Sequence, residues 1–321
     1  MSARMTVAAR VPKWQAADCI HAVEERCRQL VTMAGAPENP TFYKAAQAAA
    51  HHLNAGGRRL RARLALDAAF HLGLSAATAI AIATASELLH NASLVHDDLQ
   101  DRDVGRRGAA AVWSAFGDEA AICTGDLLLS SAYAALAELD DVTCLPQMLR
   151  LVHARTAAAI QGQSADVAHR TKPVEHIETY LQIAAGKSGA LLSLPLELAL
   201  LAAGFGDWTA KAHDAATAFA IGYQIADDLD DIEKDAGCGN ERSALNIALL
   251  LRRQANADAD AGASNTGPSA GHDDERDAAV RQYCTALARQ HLTVAAEACV
   301  TLPGQCGSML AQLAADLSAR L

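Results

Sequence analysis

Two long apolar runs, LLHNASLVHDDLQD at residues 88–101 and FAIGYQIADDLDD at residues 219–231, end in the same spacing of carboxylates. No other feature constrains the fold as much. Apolar side chains recur in both runs every three or four residues, the period of a helix with a buried face. Asp97 and Asp101 therefore share a face, with Cβ atoms about 5–6 Å apart, and Asp227 and Asp231 repeat the arrangement far downstream. Asp98 and Asp228 take the second place in each copy, and Asp230 and Glu233 add charge to the later one. A single acidic helix end is ordinarily a solvated face. Two copies of one spacing, each behind a helix too apolar for a surface, read instead as facing walls of one metal site. Opposed carboxylates raise each other's proton affinity unless cations neutralise them. Hard oxygen donors suit Mg²⁺, which takes one or two carboxylates and completes its shell with water and substrate phosphate.

The helical period continues along nearly the whole chain without stretches of strict alternation, so the sequence predicts an all-α protein with one large domain over residues 1–321. Hydrophobic residues make up 51% of the chain and aromatic ones 4%, which suits a core of Ala and Leu. Residues 255–275, ANADADAGASNTGPSAGHDDE, hold no large apolar side chain and read as a flexible loop between two helices. The most apolar stretches, 76–86 and 189–206, are short or carry Pro195 and Glu197, so they read as buried helices with no stable membrane insertion. A net charge of −10 argues against nucleic acid or an anionic membrane surface as partner. Eight cysteines with no CxxC pair read as reduced thiols, and the N-terminus lacks the apolar segment of a secretory signal, which together suggest a cytoplasmic protein.

Cationic groups stand at scattered places. Gly56-Gly57-Arg58-Arg59-Leu60-Arg61 puts a flexible turn before three guanidinium groups that can grip phosphate oxygens bidentately. Arg106-Arg107-Gly108 repeats the device just after the first acidic run, and Lys187-Ser188 offers an ammonium and a hydroxyl without P-loop spacing. Each cluster alone also fits an ordinary solvated surface. No GxGxxG and no alternation of strand with helix supports nucleotide binding.

Taken in order, GGRRLR, DDLQDRDVGRRG, Gly162-Gln163, GKS and Gln224 ahead of DDLDD resemble the trans-isoprenyl diphosphate synthases of the polyprenyl synthetase family. The resemblance spans residues 50 to 235 or so. It implies antiparallel helices around a central cavity, a homodimer, Mg²⁺ as cofactor, and the two acidic motifs facing each other across the cavity mouth. It also implies the chemistry, condensation of isopentenyl diphosphate with an allylic diphosphate. Asp97, Asp98, Asp101, Asp227, Asp228 and Asp231 would hold the metal ions. Arg106, Lys187 with its neighbour Ser188, and Gln224 would hold the allylic diphosphate, and Arg58, Arg61, His90 and Arg107 that of isopentenyl diphosphate. A lone histidine on an apolar helix is otherwise most often a hydrogen-bonded core residue.

Ala92 and Ser93 are small where farnesyl-forming relatives often carry an aromatic ring, so a longer chain should fit, with Leu89 as a floor and geranylgeranyl diphosphate as the expected product. Farnesyl or longer polyprenyl products, and a non-catalytic regulatory subunit, are the alternatives. Both acidic motifs and GGRRLR argue against a terpene cyclase of the same fold. Two departures stand out. Arg58 replaces a usual Lys, and the segment after the second motif, GCGNERSALNIALLL, lacks the family's lysine unless Lys234 or Arg242 substitutes.

Overall fold

The computed structural model describes residues 14–32, 44–169, 174–232, 245–262 and 270–321. Its helices are α1 (Ala16–Thr32), α2 (Lys44–Asn54), α3 (Leu60–His71), α4 (Ala76–Asp101), α5 (Val112–Phe116), α6 (Asp118–Leu136) and α7 (Leu145–His169). They continue as α8 (Ile177–Ala184), a π-helical turn (Ala185–Gly189), α9 (Ala190–Ala202), α10 (Thr209–Asp230), α11 (Ile247–Gly262), α12 (Ala270–Val300) and α13 (Ser308–Arg320). Among the described residues the one strand pair is β1 (Gly105–Arg106) with β2 (Ala109–Ala110). The expected all-α class is what the chain adopts.

Contacts divide the chain into two compact units. The first comprises Met1–Ala154, Leu194–Ala212 and Thr301–Met309. Its axis is α4, packed against α1, α3 and α6. Ser75 caps that helix by accepting the N–H of Thr78 at 3.1 Å. Leu88, Leu89 and Val95 along it are fully buried or nearly so, and each such side chain contributes about 2 kcal/mol relative to exposure. The helix stops at Arg102, which turns left-handed with φ 59° and forks its guanidinium onto Asp118, both distances 2.9 Å.

The second unit comprises Arg155–Ser193, His213–Val300 and Leu310–Leu321. Tyr180, Ile183, Ile225, Ile232, Ile247, Leu250 and Cys284 share its core, with α8 and α12 both against α11. The continuous helical run Ile177–Ala202 reaches the length and hydropathy of a membrane span, yet 78% of its most apolar window is buried within the protein.

Of the loop expected at 255–275, residues 255–262 and 270–275 are helical. Helix α11 runs on to Gly262 and α12 begins at Ala270, leaving 263–269 outside the described residues. Lack of large apolar side chains excludes a core role, but it does not exclude a helix, because Ala is the best helix former. Glu233, Lys234 and Arg242 also lie outside the described residues.

Candidate active site

The first acidic motif ends α4, and the second ends α10 with Asp231 one residue beyond it, its N–H still bonded to Asp227 O at 3.0 Å; neither last turn carries a basic side chain. Carboxylates at a helix C-terminus meet the negative end of the macrodipole, an unfavourable placement by about 0.3–1 kcal/mol each. Both helices thus gather negative charge where the backbone already supplies some, and a bound cation would relieve it.

In the first unit Asp97 is partly buried, Asp101 exposed and Asp98 fully buried. Arg106 donates from Nε to Asp98 Oδ1 at 2.6 Å and lays Nη2 against the same oxygen. Burial pushes the Asp98 carboxyl above its ordinary value; Arg106 draws it back, and Asp103 and Asp101 push it further. Burial would lower Arg106, but Asp98 and the nearby carboxylates hold it above its ordinary value. Oδ2 of Asp98 remains buried with no hydrogen-bond partner. Buried polar atoms are nearly always satisfied, so this oxygen marks a place for a ligand.

Arg106 and Arg107 sit on the hairpin β1–β2, whose two-residue turn has both φ angles positive, Arg107 at 54° and Gly108 at 80°. Such a turn matches the twist of the strands it joins, and it carries the Arg107 guanidinium back toward the GGRRLR turn. There Arg107 donates to the carbonyl of Gly56 and lies flat on Gly57, where any Cβ would overlap it. The hairpin is held from outside by His51, within 2.8 Å of the Ala110 carbonyl, and by Trp113, which donates to Asp103 O at 2.8 Å.

Arg61 Nη1 lies 3.1 Å from His90 Nε2. A guanidinium only donates, so Nε2 accepts and the ring proton belongs on Nδ1. Burial, then Arg61 and Arg107, hold His90 well below its ordinary pKa, which keeps it neutral. The first unit therefore brings Arg61, His90, Arg106 and Arg107 together, with Arg58 exposed at the turn. Arg59 is the exception among the three arginines expected to grip phosphate. It turns inward to 8% exposure, donates to Glu24 at 2.9 Å and Leu53 O at 2.7 Å, and lies 3.6 Å from buried Glu87. Its left-handed backbone, φ 49°, directs the side chain under the turn. Behind it His52 donates to Asn91 Oδ1 at 3.1 Å, and Asn91 donates to Glu87 O at 2.7 Å.

In the second unit Asp227 is exposed and Asp231 partly buried, but Asp228 between them is only 4% exposed. Its Oδ1 accepts from Gln224 Nε2 at 2.8 Å, and its Oδ2 accepts from Tyr180 at 2.7 Å and from the N–H of Ile247 at 2.9 Å. Burial and the neighbouring Asp228 raise the Tyr180 hydroxyl well above its ordinary pKa, so it stays protonated and donates. Lys187 projects from the π-helical turn and donates to Asp166 Oδ2 at 2.6 Å, with Ser188 partly buried beside it. Such single π-turns inside α-helices are frequent at functional sites. Gly162 explains the Gly-Gln pair, because a Cβ there would overlap the backbone N of Lys187.

Leu89 and Ala92 are buried in the core of the first unit, and Ser93 is partly buried, donating to His90 O at 2.8 Å. Asp166, Tyr180, Asn246 and the Arg59 network escaped the sequence reading. Asp166 had a signal, one helical turn beyond Gly162 and so on the face that meets Lys187. Tyr180 had none, since a single tyrosine in an apolar run reads as core.

The donors fit Mg²⁺. They are hard carboxylate oxygens on i, i+4 faces, and Asp98 Oδ2 is buried with no hydrogen-bond partner. Among the described residues no three His, Cys, Asp or Glu side chains form a ready-made cage, and Mg²⁺ usually takes only one or two carboxylates plus phosphate.

The fold and these paired acidic and basic elements define the class, an isoprenoid synthase fold. A geranylgeranyl pyrophosphate synthetase from Geoglobus acetivorans superposes at TM-score 0.76 over 94% of this chain and 99% of its own, at 24% identity. A decaprenyl diphosphate synthase from Rhodobacter capsulatus also gives 0.76, covering 95% and 96% at 22% identity. The polyprenyl synthetase profile matches residues 43–241, and the chain belongs to that family. A geranylgeranyl diphosphate synthase of Mycobacterium tuberculosis is 31% identical over 268 residues, 79% of this chain and 75% of its own length. A (2E,6E)-farnesyl diphosphate synthase of the same organism is 35% identical over 177 residues, and there the match spans 54% of this chain and about half, 48%, of that relative.

Proposed function

We propose that this chain is a Mg²⁺-dependent trans-prenyltransferase that joins isopentenyl diphosphate to an allylic diphosphate. The observation that carries it is the cluster of Arg61, neutral His90, Arg106 and Arg107 beside a carboxylate-ended helix with an unsatisfied Asp98 oxygen. Cationic donors next to acidic donors suit a metal–diphosphate pair and suit neither partner alone.

Asp97, Asp101, Asp227 and Asp231 would hold Mg²⁺, with Asp98 Oδ2 as a further donor. When bound, the metal neutralises diphosphate and makes it a better leaving group. By the family resemblance Arg106 of the first unit, and Lys187 of the second, would each bind the allylic diphosphate, while Arg58, Arg61, His90 and Arg107 would hold that of isopentenyl diphosphate. His90 fixes the Arg61 fork by accepting one of its donors. The allylic C–O bond then breaks heterolytically, the double bond of isopentenyl diphosphate attacks C1, and the C2 proton leaves to the released diphosphate. No protein nucleophile takes part. Water would trap the cation, and the α4 side chains preceding the motif, Leu89 and Ala92, are apolar and buried.

We favour geranylgeranyl diphosphate as product, from the small Ala92 and Ser93, although relatives carry both farnesyl and geranylgeranyl names. A homodimer is supported by Ile122 and Tyr133, 50% and 36% exposed and on one face of α6. Incubation with Mg²⁺, isopentenyl diphosphate and allylic diphosphates of graded length, followed by product identification, tests the function. Elongated products are expected; none with any allylic partner would favour a regulatory subunit, and cyclised hydrocarbons a terpene cyclase.

A further inference from the structure

Asp228 is surrounded. A carboxylate offers about four acceptor positions, and three donors from three separate places occupy both of its oxygens: Gln224 one turn earlier, Tyr180 on α8, and the N–H of Ile247 at the start of α11. The backbone joins in, since Asn246 Nδ2 donates to Asp228 O at 2.9 Å. Asn246 in turn caps α11, its Oδ1 accepting from Ala248 N at 2.9 Å and Leu249 N at 3.2 Å. Asp228 thus supplies the negative charge that the positive end of α11 favours, inside a core shared by Tyr180, Ile232 and Ile247. Both oxygens are thus engaged, and a metal that displaced one of these donors would orphan it at a cost of about 1–3 kcal/mol.

We propose that Asp228 is an internal anchor rather than a metal ligand, and that Tyr180 is a positioning residue which, through Asp228, ties the start of α11 to the end of α10. Asp227 and Asp231, on either side of the anchor, are then the carboxylates presented to metal. The anchor stands on geometry alone; the metal clause rests on the proposed prenyltransferase function.

Two measurements on the full chain separate the clauses. Amide hydrogen exchange without ligand should rise about tenfold at Ile247, Ala248 and Leu249 in Tyr180→Phe and in Asp228→Asn. Unchanged exchange there would overturn the anchor, whatever the chain catalyses. Mn²⁺ titration with inorganic pyrophosphate, followed by electron paramagnetic resonance, reads the metal. Asp228→Asn and Tyr180→Phe should keep the wild-type number of bound Mn²⁺ ions, whereas Asp227→Asn should lose at least one. Loss of an ion in Asp228→Asn would overturn the metal clause. Should Asp228→Asn fail to fold, Tyr180→Phe, which keeps the carboxylate, decides. A higher Mn²⁺ affinity there would show a freed oxygen acting as ligand and contradict the proposal. Absence of Mn²⁺ binding in the wild type would fail the prenyltransferase reading and leave the exchange result to judge the anchor.

Discussion

Asp98 and Asp228 hold the same place in two copies of one spacing, and the folded chain surrounds them differently. Among the described residues Asp98 meets a single side chain, Arg106, at one oxygen and keeps the other oxygen unsatisfied. Asp228 meets a tyrosine, a glutamine and a backbone N–H from the next helix, which leaves neither oxygen idle. The difference lies in the segment that comes after each motif. The first leads into a hairpin whose arginine can also face a phosphate; the second leads to a helix whose capped start needs an anion of its own. A shared motif fixes which face a carboxylate occupies, and the segment folded against that face decides how much of it stays available.

The largest expected effect falls on the residues that this contrast treats alike. Asp97→Ala and Asp227→Ala should each lower kcat/KM on the order of 10³-fold, the scale of losing one preorganised electrostatic contact in a transition state. Steady-state kinetics checks this, and near-wild-type turnover in either variant would remove that motif from the site.

Acid should separate the two surroundings next. His52 is buried behind the GGRRLR turn, and burial first, then Arg107, Arg106 and Arg59, depress its pKa to about 4 against the raising effect of Asn91. The unfolded chain takes up this proton near pH 6.5 and the folded chain does not. Stability is therefore full above that pH and falls as pH drops toward 4, by about 3 kcal/mol in total. None of the described donors to Asp228, which are Gln224, Tyr180 and the Ile247 N–H, is a histidine. Denaturant melts of the wild type and His52→Gln between pH 7 and pH 4 should converge toward acid, and parallel curves would contradict the buried neutral imidazole.

Gly162→Ala probes the second unit at the close approach of α7 to the π-helical turn. Its methyl would strike backbone rather than a flexible side chain, so a loss of about 1–3 kcal/mol is expected, with Lys187 displaced from Asp166. An unchanged melting temperature would show that the turn yields. The narrowest readout comes from Ala92→Phe, which ought to shorten the product, although a ring at this buried position also costs about 1–3 kcal/mol of overpacking. Product analysis by chromatography checks it, and an unchanged chain length would move the growing prenyl chain elsewhere.

Much of this organisation is legible in the sequence because it rests on local rules. Period gives the helices, spacing gives the i, i+4 carboxylate faces, and Arg106-Arg107-Gly108 carries the glycine that its hairpin turn uses. The hidden part depends on partners distant in sequence. Nothing local tells Arg59 from Arg58 and Arg61, because its inward turn depends on Glu24 and Glu87 on other helices. Tyr180 is 48 residues from Asp228, and only the packed core joins them. Helical extension into 255–262 is hidden for another reason, since a composition unfit for burial can still form a helix on the surface.

The most direct measurement is product formation from isopentenyl and allylic diphosphates with Mg²⁺ present, then with excess chelator, then with Mg²⁺ restored. Elongated prenyl diphosphate should form, vanish and return. Turnover that persists in chelator would contradict carboxylate-held metal as the basis of this site.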